Sequence, residues 1–236
     1  MKAYLCSSPY NSRSKLYKRN SFLKSIKKDW PLNATVLYIA SDPDNYELTD
    51  KYAKRHQKAY EEALSVKSFT IIDHRIKDVQ KYLSKADVLV LAGGHCPTQM
   101  AYFKELNLKD FVSSFNGILI GCSAGTMNME KLVYSIPELD GEATDPSYKR
   151  FYEGLGLVDI YIVPHFSLYR DYTVDGLKLI DEIAKEDSYK INIHFFNDST
   201  YLYLNEDSKT IYGETYLMQK GELTQILKNG QKMELW

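Results

Sequence analysis

Gly121-Cys122-Ser123-Ala124-Gly125 is the stretch of this chain best equipped for covalent chemistry. Ile118-Leu119-Ile120 before it is apolar and mostly β-branched, and Ala124 to Met127 after it is small and helix-compatible. A G-x-S-x-G pattern between a strand and a helix predicts a sharp turn with the serine at its tip. Gly121 and Gly125 flank the bend, where side chains would collide with a tight backbone. Ser123 is thereby placed as a strained nucleophile whose hydroxyl faces a cleft. Backbone N–H groups at the start of the following helix, with its dipole, would favour an oxyanion there. Cys122 falls one residue early, points elsewhere at such a bend, and reads as a small packing residue.

A serine hydroxyl needs a base near neutral pH, and histidine is the usual one. Five histidines compete. His56 lies within an amphipathic helical pattern among charged residues and reads as solvated. His74 follows a strand end without other support, and His194 sits mid-strand as a packed residue. His95 follows Gly93-Gly94 at a strand end, and His165 follows a strand and Pro164. Both belong on the rim that carries Ser123, and the residue pattern leaves both open as the base. Two donors must point at the oxyanion. The N–H of Ala124 supplies one, and Gly93 or Gly94, lacking a Cβ, permits the close approach needed for the other.

The elements around these residues read as alternating strands and helices. Strands are expected at Lys2–Ser7, Ala34–Ala40, Ser68–Ile72, Asp87–Ala92, from Gly117 into Ser123, and at Asp159–Val163. Helices are expected near Lys18–Lys28, Tyr46–Leu64, Lys77–Leu83, from Pro97 to Leu106, and at Thr173–Lys185. Nearly all-apolar strands between helices imply a parallel sheet covered on both faces. Ligands of such sheets bind beyond the strand carboxyl ends, where Gly93-Gly94 and Ser123 fall. Ser135 to Arg150 is a long loop rich in turn formers and acids. From Ile191 the pattern changes to short strands with polar turns, which reads as an antiparallel β-meander closing the domain.

The chain has 236 residues and suits one α/β domain over 1–236. A net charge of −1 gives no general pull toward nucleic acid or an acidic membrane surface. No apolar run reaches membrane-spanning length. Three cysteines, Cys6, Cys96 and Cys122, have no metal or disulfide-framework spacing. A cytoplasmic protein is the expectation, with a small substrate, no nucleic acid, no membrane, and a monomeric or homodimeric state. No metal cluster or dinucleotide fingerprint is visible, and serine chemistry needs no cofactor.

Ile120-Gly121-Cys122-Ser123-Ala124-Gly125, with Leu91-Ala92-Gly93-Gly94 upstream and Pro164-His165-Phe166 downstream, resembles the peptidase E (aspartyl dipeptidase) and cyanophycinase group of serine hydrolases. The resemblance implies a class I glutamine amidotransferase-like fold: three layers, a mostly parallel flavodoxin-like sheet, helices on both faces. It implies His165 as the base. It places the triad acid in the loop after the nucleophile helix, on Glu138, with Asp140 and Glu142 close behind. It further implies a small peptide substrate, with N-terminal aspartate the preference of peptidase E. A cation would then be wanted at the cleft, and Arg170 is the candidate, with Arg150 behind it. The resembling sequences usually carry asparagine where this chain has His95, so His95 should line the substrate side. Class I amidotransferases use cysteine at the Ser123 position, which argues against glutamine hydrolysis by a thiolate. The alternative is a non-catalytic binding or regulatory module on the same fold.

Overall fold

Ala34 to Ile39 is buried along nearly its whole length, which a strand can be only when both faces of its sheet are covered. The computed structural model describes residues 1–235. Five strands run parallel: β1 (Lys2–Cys6), β2 (Ala34–Ile39), β3 (Val66–Ile72), β4 (Val88–Leu91) and β5 (Ile118–Cys122), all but the edge strand β3 buried almost throughout. Their order is β1-β5-β4-β2-β3. Alternate side chains feed two cores. Leu37, Leu89, Leu91 and Leu119 pack with Phe103 of α4 (Cys96–Glu105) and Leu108 of α5 (Leu108–Ser114). Tyr4, Val36, Val90 and Ile120 pack with Phe22 and Ile26 of α1 (Phe22–Asp29) and with Ala53 and Tyr60 of α2 (Tyr46–Glu61). A short α3 (Val79–Leu83) joins β3 to β4. The mostly parallel sheet with helices on both faces is therefore the expected fold. Among the described residues, no helix is long and apolar enough to cross a membrane.

After β5 comes α6 (Ala124–Met127), then β6 (Leu132–Tyr134) paired with β7 (Phe151–Glu153). That pair brings the ends of the 135–150 loop together. The C-terminal strands are largely antiparallel, as expected, but they do not form one meander. β12 (Tyr201–Leu204), β13 (Lys209–Tyr212) and β16 (Lys232–Leu235) extend the main sheet beyond β1. β11 (Ile193–Phe196), β14 (Thr215–Gln219) and β15 (Glu222–Leu227) build a second sheet with β8 (Tyr161–Val163). Within it β8 and β11 are parallel, with Val163 opposite Phe195. Short strands separated by turns look the same in sequence whichever sheet each one joins.

The expected helix at Thr173–Lys185 is corrected at its first half. Residues 173–178 form a hairpin of β9 (Thr173–Val174) and β10 (Leu177–Lys178), and a π-helical turn at Leu179–Ala184 then runs into α8 (Lys185–Asp187). The turn residues Asp175 and Gly176 have φ of 52° and 79°. An Asp-Gly pair in that conformation closes a two-residue hairpin, a local preference that outweighs the helical spacing of the apolar residues.

His56 also departs from expectation. It is 1% exposed rather than solvated. It lies on the inward face of α2, with Tyr10 edge-on at 4.7 Å, Tyr38 at 5.1 Å, and its Nδ1 3.4 Å from the Tyr60 hydroxyl. Burial, with Arg55 adding to it, depresses its pKa from 6.5 to about 3. Below pH 6.5 the unfolded chain binds a proton that the folded chain refuses until about pH 3. Each pH unit in that window therefore costs roughly 1.4 kcal/mol of stability, on the order of 3 kcal/mol by pH 4. Urea midpoints between pH 7.5 and 4 should fall more steeply for the native chain than for His56→Phe. Parallel curves would refute the assignment.

Candidate active site

Ser123 is the first residue beyond β5, and its backbone adopts φ 54°, ψ −117°, a conformation that L residues rarely hold. Several bonds enforce it. The Ser123 N–H is shared between the carbonyls of Cys6 and Ser7, at 3.1 and 3.2 Å. Thr126 Oγ1 donates to the Cys6 carbonyl at 2.8 Å, and the Gly125 N–H donates to Ala92 O at 3.1 Å. A Cβ on Gly125 would run into the carbonyls of Leu91 and Ala92, so only glycine lets the elbow close on the end of β4. The helix behind the elbow, Ala124–Met127, is a single turn. Its dipole is correspondingly slight, and individual N–H groups must stabilise any oxyanion. Those of Ala124, Gly93 and Gly94 find no acceptor among the described residues. Gly93 lies against the nucleophile: a Cβ there would stand 3.1 Å from Ser123 Cβ.

His165 is two residues past β8, at φ 56°, ψ 39°. Asp198 is two residues past β11, the parallel neighbour of β8. Parallel strands deliver their carboxyl ends to one edge, so the two residues meet: His165 Nδ1 lies 2.8 Å from Asp198 Oδ1. Burial would raise the Asp198 carboxyl, but the hydrogen bonds and charge of His165, with a bond from Ser7, outweigh it and hold it below its ordinary value. An ionised carboxylate only accepts, so Nδ1 carries a proton, and in the neutral ring Nε2 presents a lone pair. Neither Nε2 nor the Ser123 hydroxyl has a hydrogen-bond partner among the described residues. Both line a single cavity of about 590 Å³.

The other expected site residues divide. His95 lines the same cavity, but both its ring nitrogens are engaged, Nδ1 with Thr98 Oγ1 and Nε2 with Glu142 Oε1, each at 2.7 Å. Glu138 does not reach Nδ1 of His165. Its Oε1 accepts from the Tyr169 hydroxyl at 2.7 Å, and burial pushes its carboxyl up. Glu142, besides holding His95, accepts the N–H groups of Glu138 and Leu139, and Asp140 is exposed. The loop is turned this way because Asp175, in the hairpin turn, takes the N–H groups of Gly141 and Ala143 at 2.7 and 2.9 Å. Arg170 pairs with Asp181 at 2.8 Å and does not line the cavity, while Arg150 pairs with Asp187.

The cation in the cavity is Arg55. Leu48, Thr49, Tyr52, Arg55 and His56, spaced as one face of α2, form one wall. Among the described residues Arg55 has no carboxylate partner. Its guanidinium lies over the Tyr10 ring at 5.1 Å, and Nε reaches Ser14 Oγ at 3.4 Å. Cys122 also borders the cavity, but burial pushes its thiol up to about 12, so it stays protonated at neutral pH.

A serine on a strained strand–helix turn, a histidine backed by a carboxylate, and three free N–H groups thus lie at one rim of the sheet. Residues 4–212 match the model of peptidase family S51, and the chain belongs to that family of peptidases. In three dimensions it resembles a protein from Listeria monocytogenes EGD-e, provisionally described as a peptidase E, whose crystal structure is at 1.5 Å. The TM-score is 0.61 at 16% identity, over 96% of this chain and 98% of the other. At that identity the likeness speaks for the fold. No curated protein matches the chain by sequence.

Proposed function

We propose that this peptidase is of the serine type and cleaves short peptides through an acyl-enzyme. The observation that carries the reading is the His165–Asp198 pair opening its free Nε2 onto the cavity that holds the strained Ser123. Ser123 Oγ attacks the peptide carbonyl while His165 Nε2 takes its proton. The negative oxygen that forms is received by the Ala124 N–H and by that of Gly93 or Gly94. His165 then returns the proton to the leaving amine, and water repeats the cycle on the ester. Asp198 keeps the imidazole in the right tautomer and stabilises its charged form.

The substrate we infer is a dipeptide or similarly short peptide carrying a carboxylate, N-terminal aspartate being the side chain of choice. Arg55, in place of Arg170, supplies the matching charge, and a cleft of this size suits a small ligand. The test is a dipeptide library offered to the purified protein and to Arg55→Met. A charge-assisted bond contributes about 1.5–3 kcal/mol, so KM for aspartyl dipeptides should rise roughly 10- to 100-fold. An asparaginyl analogue should be insensitive to the change. Equal effects on both, or none on either, would remove Arg55 from substrate recognition.

A further inference from the structure

Ser7, the residue after β1, is wholly buried and touches every member of the proposed triad. Its carbonyl accepts from the Ser123 N–H at 3.2 Å. Its Oγ accepts from the backbone N–H of His165 at 2.9 Å. The same hydroxyl donates to Asp198 Oδ1 at 2.9 Å, the oxygen that also faces His165 Nδ1. These contacts close a ring: His165 backbone to Ser7, Ser7 to Asp198, Asp198 to the His165 imidazole.

The proton directions in that ring are dictated by donor inventory. A backbone N–H can only donate, so Ser7 Oγ accepts there. A serine hydroxyl has one proton, and Asp198 is the partner left to take it. Oδ1, already accepting from Ser7, is thereby kept as an acceptor, and the bond to Nδ1 must be donated by the ring. In the neutral ring the nitrogen opposite is then proton-free. The same hydroxyl holds the backbone of His165, whose positive φ is uncommon for a residue other than glycine. We propose that Ser7 is a positioning residue that fixes His165 in the Nδ1–H tautomer and holds its strained backbone beneath the cleft. The inference rests on reading Ser123, His165 and Asp198 as the triad. It assigns Ser7 no contact with substrate.

Two measurements test it, on the native chain, Ser7→Ala and Ser7→Thr. The first is the ¹⁵N spectrum of the His165 ring in its neutral form. The native chain should show a protonated Nδ1 and an unprotonated Nε2. Ser7→Ala should show a mixture of tautomers, and Ser7→Thr, which keeps the hydroxyl, should restore the native pattern. The second is the pH dependence of acylation by a fluorophosphonate. A carboxylate that loses the Ser7 donor keeps more of its charge for the ring and so holds the imidazolium of His165 more tightly against loss of its proton. In Ser7→Ala the rate should therefore fall at least tenfold and its acid limb should move upward, with Ser7→Thr recovering both. A folded Ser7→Ala with native tautomer and unmoved pH profile would overturn the proposal. If both variants fail to fold, the native spectrum decides, since a proton on Nε2 contradicts the ring. Absence of acylation in the native protein would count against the triad, while the tautomer comparison would still decide the role of Ser7.

Discussion

Ser123→Ala should remove peptide hydrolysis, by roughly 10⁵- to 10⁶-fold in kcat, without loss of folded protein. The side chain carries no hydrogen bond within the described residues, so its removal orphans nothing, and the elbow is held by backbone bonds. Stability should stay close to native, because alanine keeps the Cβ and with it the backbone strain at φ 54°. Cys122→Ala is the control. That thiol is protonated at neutral pH and lies one residue from the tip, so turnover should stay within a few-fold of native. Steady-state kinetics on one dipeptide, with thermal melts of both variants, measure this. A dead Cys122→Ala beside an active Ser123→Ala would move the nucleophile to the cysteine.

Asp198→Asn should lower kcat by about 10⁴-fold with little change in KM. The size follows from the tautomer. An asparagine amide turned toward Nδ1 can donate where the carboxylate could only accept, which moves the ring proton to Nε2 and blocks the base. Glu138→Gln is the discriminating partner. The Glu138 carboxyl accepts from the Tyr169 hydroxyl and does not reach His165, and the amide oxygen of glutamine can accept the same bond. Turnover should remain within about threefold. The reverse ranking would return the acid to the 135–150 loop.

These two acids show where the sequence is legible and where it is not. Ser123, His165, Gly93, Gly94 and Ala124 are each marked locally, by a glycine or proline at the end of an apolar strand. Such strands announce a buried parallel sheet, and the sheet itself sets the rim on which these residues gather. Asp198 carries no local mark. It sits in Asn197-Asp198-Ser199, which in sequence is one polar turn among several. Its position follows from the parallel pairing of β8 with β11, a contact between segments thirty residues apart. Arg55 is hidden for a related reason. The α2 pattern shows an amphipathic helix, but not that one part of its inward face lines a cavity rather than core. His56, on the same face, is lost to the charged residues beside it in sequence, although the helix turns Lys54 and Lys58 outward. Glu138 illustrates the opposite error. Counting along a loop finds an acid near the right distance, but the Asp175 hairpin turn fixes which way the loop faces.

The most direct measurement of the central claim is site mapping of a fluorophosphonate adduct by peptide mass spectrometry. The native protein should acquire one phosphonyl group, on Ser123. His165→Ala should acquire it at least a thousandfold more slowly, while its melting curve shows it to be folded. An adduct on any other residue would contradict the account. So would a folded native protein that remains unlabelled under conditions that saturate a control serine hydrolase.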